Sequence, residues 1–474
     1  MSTETAVDTK LIVQDLITKG RAAMAEIKDY TQEQANTLVQ AVAWAIYQQE
    51  HAEELAHISI RDTGLGKYED KVFKNQRKTF GTLNDLLDKD AKSVGIIKVD
   101  QAKGITEIAK PVGIVAAAVP STNPGATPAN VAMMALKGRN AVIIAPSPKG
   151  ASTTDKLLEY IHVELTKIGA PLDLVQALPT PVSKESTGEL MKQADLVTVT
   201  GSGNNVKLGQ TCGTPNVCVS AGNVVSVVDA SANLQEAAHK IMLSKTFDNA
   251  TSCSSDNAVV IEATVYDQMI EALKNEGGYF CNAEEKIQMH KAMWDENGKR
   301  RGTTTAKSGE AMAAEADLTS AEAKNANFFM VEETGVGKGF PFSGEKLSLV
   351  LTVYKVENFE EALALTKRIL SFVGRGHSCG LHTNNESHVE RIGFEMDVCR
   401  LLINQVQCFG NGGGFNNGLN FTLSMGGGTW AGNNIKENLS YKHFINITKV
   451  SRLIPEVVPS EEDLFESYWT KYGR

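Results

Sequence analysis

Residues 111–145 read PVGIVAAAVPSTNPGATPANVAMMALKGRNAVIIA, and the architecture follows from the order of patterns within them. The run around Ile114–Val119 is apolar without alternation, as a strand buried on both faces requires. A helical stretch at about 126–137 then returns the chain to a second such run, AVIIA at 141–145. Downstream the same alternation repeats. A helix at about 151–168 leads to LVQAL (174–178), one at about 183–193 to LVTVT (196–200), and one at about 202–209 to short strands at 217–219 and 224–228. Strands alternating with helices build βαβ units and a mostly parallel, doubly wound sheet. Such sheets bind ligands outside the C-terminal ends of their strands. The loops PSTNPGATP, APSPKG and VTGSGNNVKLG therefore border the expected site.

Upstream, residues 10–28 have helical apolar spacing, and Thr31 with Gln34 forms a capping box for a second helix whose face is Leu38, Val39, Val42, Ile46 and Tyr47. The first helix reads as a wrapper over a core; a targeting helix for a protein shell is the other reading. GIIKVD and GITEIAK, between 95 and 110, read as strands. A second α/β segment begins near Leu243 with AVVIE and a helix from about Thr264, and an irregular Ala/Glu/Lys-rich region runs to about 325. LVLTVYKV, the helix FEEALALTKRIL, CGLHT, a helix at about 387–394 and RLLIN follow. The Gly/Asn-rich run after them contains Phe415, Phe421 and Trp430, which argue for an ordered loop with close backbone approach.

The 474 residues are 42% hydrophobic and 22% charged, enough for two or three cores, and no run approaches the ~18 apolar residues of a membrane span. The first twenty residues mix acids into a broken apolar pattern, unlike a secretory leader, so a cytoplasmic protein is expected. Seven scattered cysteines without a CxxC pair fit a reducing compartment and supply no metal spacing, so no metal is expected. A net charge of -9 with no Lys/Arg block argues against nucleic acid and anionic membrane as partners.

Two local features carry candidate chemistry. Gly201, Ser202 and Gly203 open a helix, where backbone N–H groups can hold a diphosphate, although GSG is also a common helix start and no GxGxxG fingerprint is present. FDNATSCSSDN (247–257) sets Cys253 among Thr251, Ser252, Ser254 and Ser255, which leave room for a reacting carbon beside the sulfur. A thiol must be deprotonated to react, and the stretch offers no cation beyond Lys245, so a small buried cysteine is the competing reading.

Taken together, these motifs resemble the CoA-acylating branch of the aldehyde dehydrogenase superfamily, from about residue 10 to about 455. PSTNPGATP resembles the loop whose Asn, here Asn123, points at the substrate carbonyl oxygen. FDNATSCSSDN resembles the nucleophile segment and marks Cys253; GEKLSLVLTVY resembles the segment whose Glu, here Glu345, holds the nicotinamide ribose. GRGHSCGLHTNN resembles the Gly-His-Thr loop with Ser378 for the usual Thr, and GLNFTLSMGGGTWAGNNIKENL resembles the C-terminal signature. The resemblance implies two doubly wound parallel-sheet domains plus an oligomerisation β-extension. Residues 1–242 would bind cofactor and include oligomerisation strands near 95–110, 243–432 would be catalytic, and 433–474 would return to the oligomerisation face of a homodimer or homotetramer.

Two departures from hydrolytic members shape the implied activity. The general-base Glu segment aligns with VSAGN (219–223), which puts Val219 at the base position and leaves a thioacyl enzyme to be attacked by the thiol of coenzyme A. The adenosine-ribose loop reads Ala145-Pro146-Ser147-Pro148 without its Lys and acid, so Pro146 and Ser147 are cofactor candidates and Lys149 leaves room for NADP beside NAD. His377 is a candidate to take the coenzyme A proton, or else a structural histidine. Arg375 is a candidate for an anionic aldehyde tail, or else a surface arginine. GIIKVD, GFNNGLNFTLSMGGGTW and the tail EEDLFESYWTKYGR look most like sulfoacetaldehyde-dependent members, and next like those acting on succinate semialdehyde. A dehydrogenase-like binding protein without turnover is the alternative of a different class.

Overall fold

In the computed structural model, which describes residues 3–201, 203–219 and 221–474, the strands form three sheets. In chain order they are β1 (Gly95–Asp100), β2 (Ile105–Pro111), β3 (Ile114–Val119), β4 (Ala141–Pro146), β5 (Val175–Ala177), β6 (Leu196–Thr200), β7 (Asn216–Val219) and β8 (Val224–Val228). β9 (Asp256–Glu262), β10 (Gly278–Phe280), β11 (Phe328–Glu332), β12 (Val350–Val356), β13 (Cys379–His382), β14 (Leu401–Ile403) and β15 (Ile445–Ser451) follow. All six residues of β3 and all six of β4 are buried, which is why neither run alternates.

The first sheet is parallel, with order β5-β4-β3-β6-β7. The chain builds outward from β3 first on one side and then on the other, so the crevice beyond the ends of β3 and β6 is the topological switch point. Helices cover its faces. Gln32–Tyr47 has the Thr31/Gln34 capping box and buries Leu38, Val39, Val42 and Ile46 against this core. The second sheet, also parallel, has order β10-β11-β12-β9-β8-β13-β14. The third is an antiparallel ribbon, β1-β2-β15, joining the segment near 95–110 to the C-terminal return.

Two sequence expectations are revised, and one stretch left unassigned is filled. β8 pairs with β9 and β13, so the chain changes sheets between Val219 and Val224 and residues 224–242 belong with the second sheet rather than the first. A short apolar strand buried on both faces carries no mark of which sheet receives it. The region before 325 is less irregular than its composition suggests. It holds helices Ala283–Met293, capped by Asn282 with Glu285, and Gly309–Glu315, capped by Ser308. Finally, Gln49–Thr63 and Tyr68–Leu87 are helices within a stretch whose charged residues obscure the apolar period. The second of these carries Lys71, Lys74 and Lys78, all buried. No helix among the described residues is long and apolar enough to cross a membrane.

Candidate active site

The loop before β9 holds its shape against backbone preference. Asp248, Asn249 and Ala250 have φ of 51°, 50° and 60°, a left-handed run costing about 1 kcal/mol or more per non-glycine residue. Side-chain bonds hold it there. The buried Asp248 carboxylate accepts from the Lys67 N–H at 2.8 Å, Lys71 Nζ at 3.1 Å, Lys74 Nζ at 2.5 Å and Thr251 Oγ1 at 2.6 Å. The loop also needs glycine opposite, since a Cβ on Gly66 would lie 1.9 Å from Asp248 Oδ1. Burial raises the pKa of Asp248, but the charges of Lys74 and Lys71 outweigh it and leave the carboxyl below its ordinary value. Burial lowers Lys71 to about 8.

This network reaches both ends of the candidate chemistry. It fixes the loop bearing Cys253, and Lys74 Nζ also donates to Asn123 Oδ1 at 2.8 Å. Since the lysine occupies the oxygen of the carboxamide, the Asn123 nitrogen is the end available to an incoming oxygen.

Cys253 Sγ lies 3.3 Å from His377 Nε2, and His377 Nδ1 lies 2.7 Å from Ser378 Oγ. The serine that departs from the family's threonine therefore still supplies a hydroxyl to the imidazole. His377 is 3% exposed, and burial together with the nearby Arg400 charge lowers its pKa to about 3, so the ring is neutral at working pH. Arg400 Nη2 donates to the carbonyls of His377 at 2.7 Å and Gly426 at 2.6 Å, tying the histidine loop to the glycine-rich segment. Burial and then the Glu345 charge raise the Cys253 thiol to about 12, so its resting form is protonated. A neutral imidazole with a free lone pair beside a protonated thiol is an acceptor placed for its proton.

Gly222 abuts the same loop, for a Cβ on it would fall 2.1 Å from the Cys253 carbonyl oxygen. Val219 is 5% exposed at the end of β7. Asn223 Nδ2 donates to Ser343 O at 3.0 Å and Val373 O at 3.1 Å, which brings the Glu345 and His377 segments to this point. Burial raises Glu345 to about 7 despite opposition from Arg300 and the Gly222 N–H.

Pro146 closes β4, and Ser147 begins the loop behind it. The Ser147 hydroxyl is buried with no hydrogen-bond partner among the described residues, and a Cβ on Gly150 would meet Pro124 at 2.7 Å. Gly201 has φ 154° at the end of β6, and Gly203 begins the helix Gly203–Thr211. Ser202 lies outside the described residues. An unspent hydroxyl and a helix N-terminus facing the switch-point crevice suit an elongated phosphate-bearing ligand. Arg375, by contrast, donates from Nε and Nη2 to Asp397 Oδ2 at 3.0 and 2.6 Å, and its side chain is half exposed.

A family model described as "Aldehyde dehydrogenase family" matches residues 3–318. The chain belongs to the aldehyde dehydrogenase family. Among its relatives, "Sulfoacetaldehyde dehydrogenase (acylating)" of Cupriavidus necator is 48% identical over 98% of this chain and 93% of its own length. "Succinate-semialdehyde dehydrogenase (acetylating)" of Clostridium kluyveri is 34% identical over 97% of this chain and 100% of its own. The crystal structure of an acetylating aldehyde dehydrogenase from Geobacillus thermoglucosidasius superposes with a TM-score of 0.91 at 31% identity, covering 97% of this chain and 100% of that one. These aldehyde dehydrogenases are matched across both parallel sheets and the ribbon, since the coverage is nearly complete.

Lys74, Lys71 and Asp248 are the site residues that sequence reading passed over. The available signal was an acid within the nucleophile stretch, in a segment otherwise small and polar, which needs a cation from elsewhere once buried.

Proposed function

We propose that this chain is a CoA-acylating aldehyde dehydrogenase for a short anionic aldehyde, sulfoacetaldehyde first and succinate semialdehyde next. The observation that carries the reading is the Cys253–His377 contact of 3.3 Å beside a segment with Val219 where a water-activating carboxylate would stand. The similarity to the acylating relative of Cupriavidus necator supports the substrate order.

Cys253 sulfur attacks the aldehyde carbon. The S–C bond forms, the carbonyl π pair moves onto oxygen, and the thiol proton passes to His377 Nε2. Asn123 Nδ2 and the Cys253 backbone N–H hold the oxyanion; each such donor contributes about 3–4 kcal/mol to the transition state. Bound nicotinamide supplies the hydride acceptor, and the unspent Ser147 hydroxyl with Pro146, Gly201, Ser202, Gly203 and Glu345 would hold that cofactor. Pro148 where an acid would contact the ribose, and the exposed Lys149, favour NADP over NAD.

A thioester on Cys253 then meets the thiol of coenzyme A. His377, having released the first proton to solvent, accepts the coenzyme A thiol proton as the new C–S bond forms and returns it to the Cys253 sulfur as that sulfur leaves. Burial beside Arg400 disfavours the imidazolium, so His377 passes each proton on rather than holding it. One thioester replaces another, so the reaction runs in both directions. Ile96, Val99 and Ile447 on the ribbon are large and exposed, which supports a homodimer or homotetramer closed over that face.

The test is a coupled assay with a panel of acyl-CoA thioesters and both reduced cofactors. Sulfoacetyl-CoA with NADPH is expected to give the fastest CoA release. If no thioester supports cofactor oxidation and iodoacetamide leaves Cys253 untouched, a binding protein without turnover is the correct reading.

A further inference from the structure

A narrow cleft runs past Asn123 and Ser252, one residue from Cys253. One wall is a single stripe of the helix Tyr68–Leu87, with Phe73, Lys74, Arg77 and Lys78; Phe247 and Phe409 stand among the facing residues. Three basic side chains and no carboxylate line it among the described residues, although burial lowers Lys78 to about 7, and the balance favours an anion.

The three basic side chains differ in what they already hold. Lys74 is committed to Asp248 and Asn123, and Lys78 Nζ donates to Gly412 O at 2.8 Å. Arg77 has no oxygen partner among the described residues. Its guanidinium carbon lies 5.8 Å from the ring centres of Phe73 and Phe409 and 5.3 Å from that of Phe415. Contacts with the faces of aromatic rings hold a guanidinium without using its N–H donors on an oxygen. Its N–H fork matches two oxygens of a sulfonate or carboxylate. Arg375, already paired with Asp397, has no such freedom.

We propose that Arg77 binds the anionic tail of the aldehyde and so sets the preference of this site for charged over neutral substrates. The inference rests on the aldehyde dehydrogenase reading of the cleft. Lys74, one helical turn away, holds the Asn123 carboxamide, and Arg77 and Asn123 line the same cleft.

Two measurements test it. The first compares kcat/KM for sulfoacetaldehyde and for propionaldehyde in wild type, Arg77→Gln and Arg77→Lys, with coenzyme A and NADP. The sulfoacetaldehyde-to-propionaldehyde ratio is expected to fall at least tenfold in Arg77→Gln, through KM, with partial recovery in Arg77→Lys. An unchanged ratio overturns the proposal. The second measures binding of isethionate, an unreactive hydroxyethanesulfonate, by titration calorimetry. It is independent of turnover, so it stands even if the acylating activity itself is wrong. Isethionate is expected to bind wild type at least tenfold more tightly than Arg77→Gln. Equal binding to both, or binding to neither, overturns the proposal.

Discussion

Lys74 Nζ donates to Asn123 Oδ1 at 2.8 Å and to Asp248 Oδ2 at 2.5 Å, so one buried ammonium holds both the Asn123 carboxamide and the loop that carries Cys253. If that shared bond orients Asn123, Lys74→Met lowers kcat by about tenfold to a hundredfold with a smaller change in KM, somewhat less than the ~10²–10³ expected of Asn123→Ala. The double variant should resemble Asn123→Ala rather than multiply the two losses. Steady-state kinetics of the three variants decide it, and multiplicative losses would show that the two residues act separately.

Asp248→Ala leaves Lys71 and Lys74, whose side chains are 5% and 6% exposed, without a carboxylate. Stranding buried charge in this way costs about 3–5 kcal/mol. The left-handed run at 248–250 also loses what holds it. Urea unfolding measures the cost, and a loss below about 1 kcal/mol would mean that the loop is held by other contacts.

Glu345 provides a pH signature. Its folded pKa is raised by burial from 4.5 to about 7, so the stability it contributes is fully present below about 4.5 and is lost as pH rises through about 7. Glu345→Gln does not titrate. Wild type should therefore lose Tm relative to Glu345→Gln between pH 4.5 and 7 and hold a constant deficit above that. Parallel Tm profiles across this window would place the carboxylate in a more solvated setting.

Much of the fold was legible because it is written in uninterrupted apolar runs: β3, β4 and β6 begin and end close to where the pattern changes. The Thr31/Gln34 box likewise fixes a helix start from two residues. What was not legible depends on distant partners. The helix Tyr68–Leu87 buries lysines, and Lys71, Lys74 and Lys78 read as a solvated face until Asp248 and the Gly412 carbonyl are brought to them by folding. β8 looks like a last strand of the first sheet, because short apolar strands do not encode their neighbours. Cys253 and His377 are 124 positions apart, and only the family resemblance joined their segments to one site in advance.

Val219 tests the choice between water and thiol. Val219→Glu should raise oxidation to the free acid in the absence of coenzyme A, with a gain up to the ~10²–10⁴ of a general base if a water is held within reach. The position is 5% exposed, so the new carboxylate also lowers stability, and thermal unfolding belongs beside the assay. A folded variant without free-acid product, next to a wild type that already hydrolyses well, would remove Val219 from the explanation.

The covalent step is the centre of the account, and it can be weighed directly. Incubating the protein with sulfoacetaldehyde and NADP in the absence of coenzyme A, then digesting it and analysing the peptides by mass spectrometry, should reveal one sulfoacetyl group on the peptide containing Cys253. Adding coenzyme A before digestion should discharge it as the acyl-CoA, and Cys253→Ala should carry no adduct and show no turnover. An adduct on Cys218 or Cys379 instead, or turnover surviving in Cys253→Ala, would contradict the assignment of Cys253 as the nucleophile.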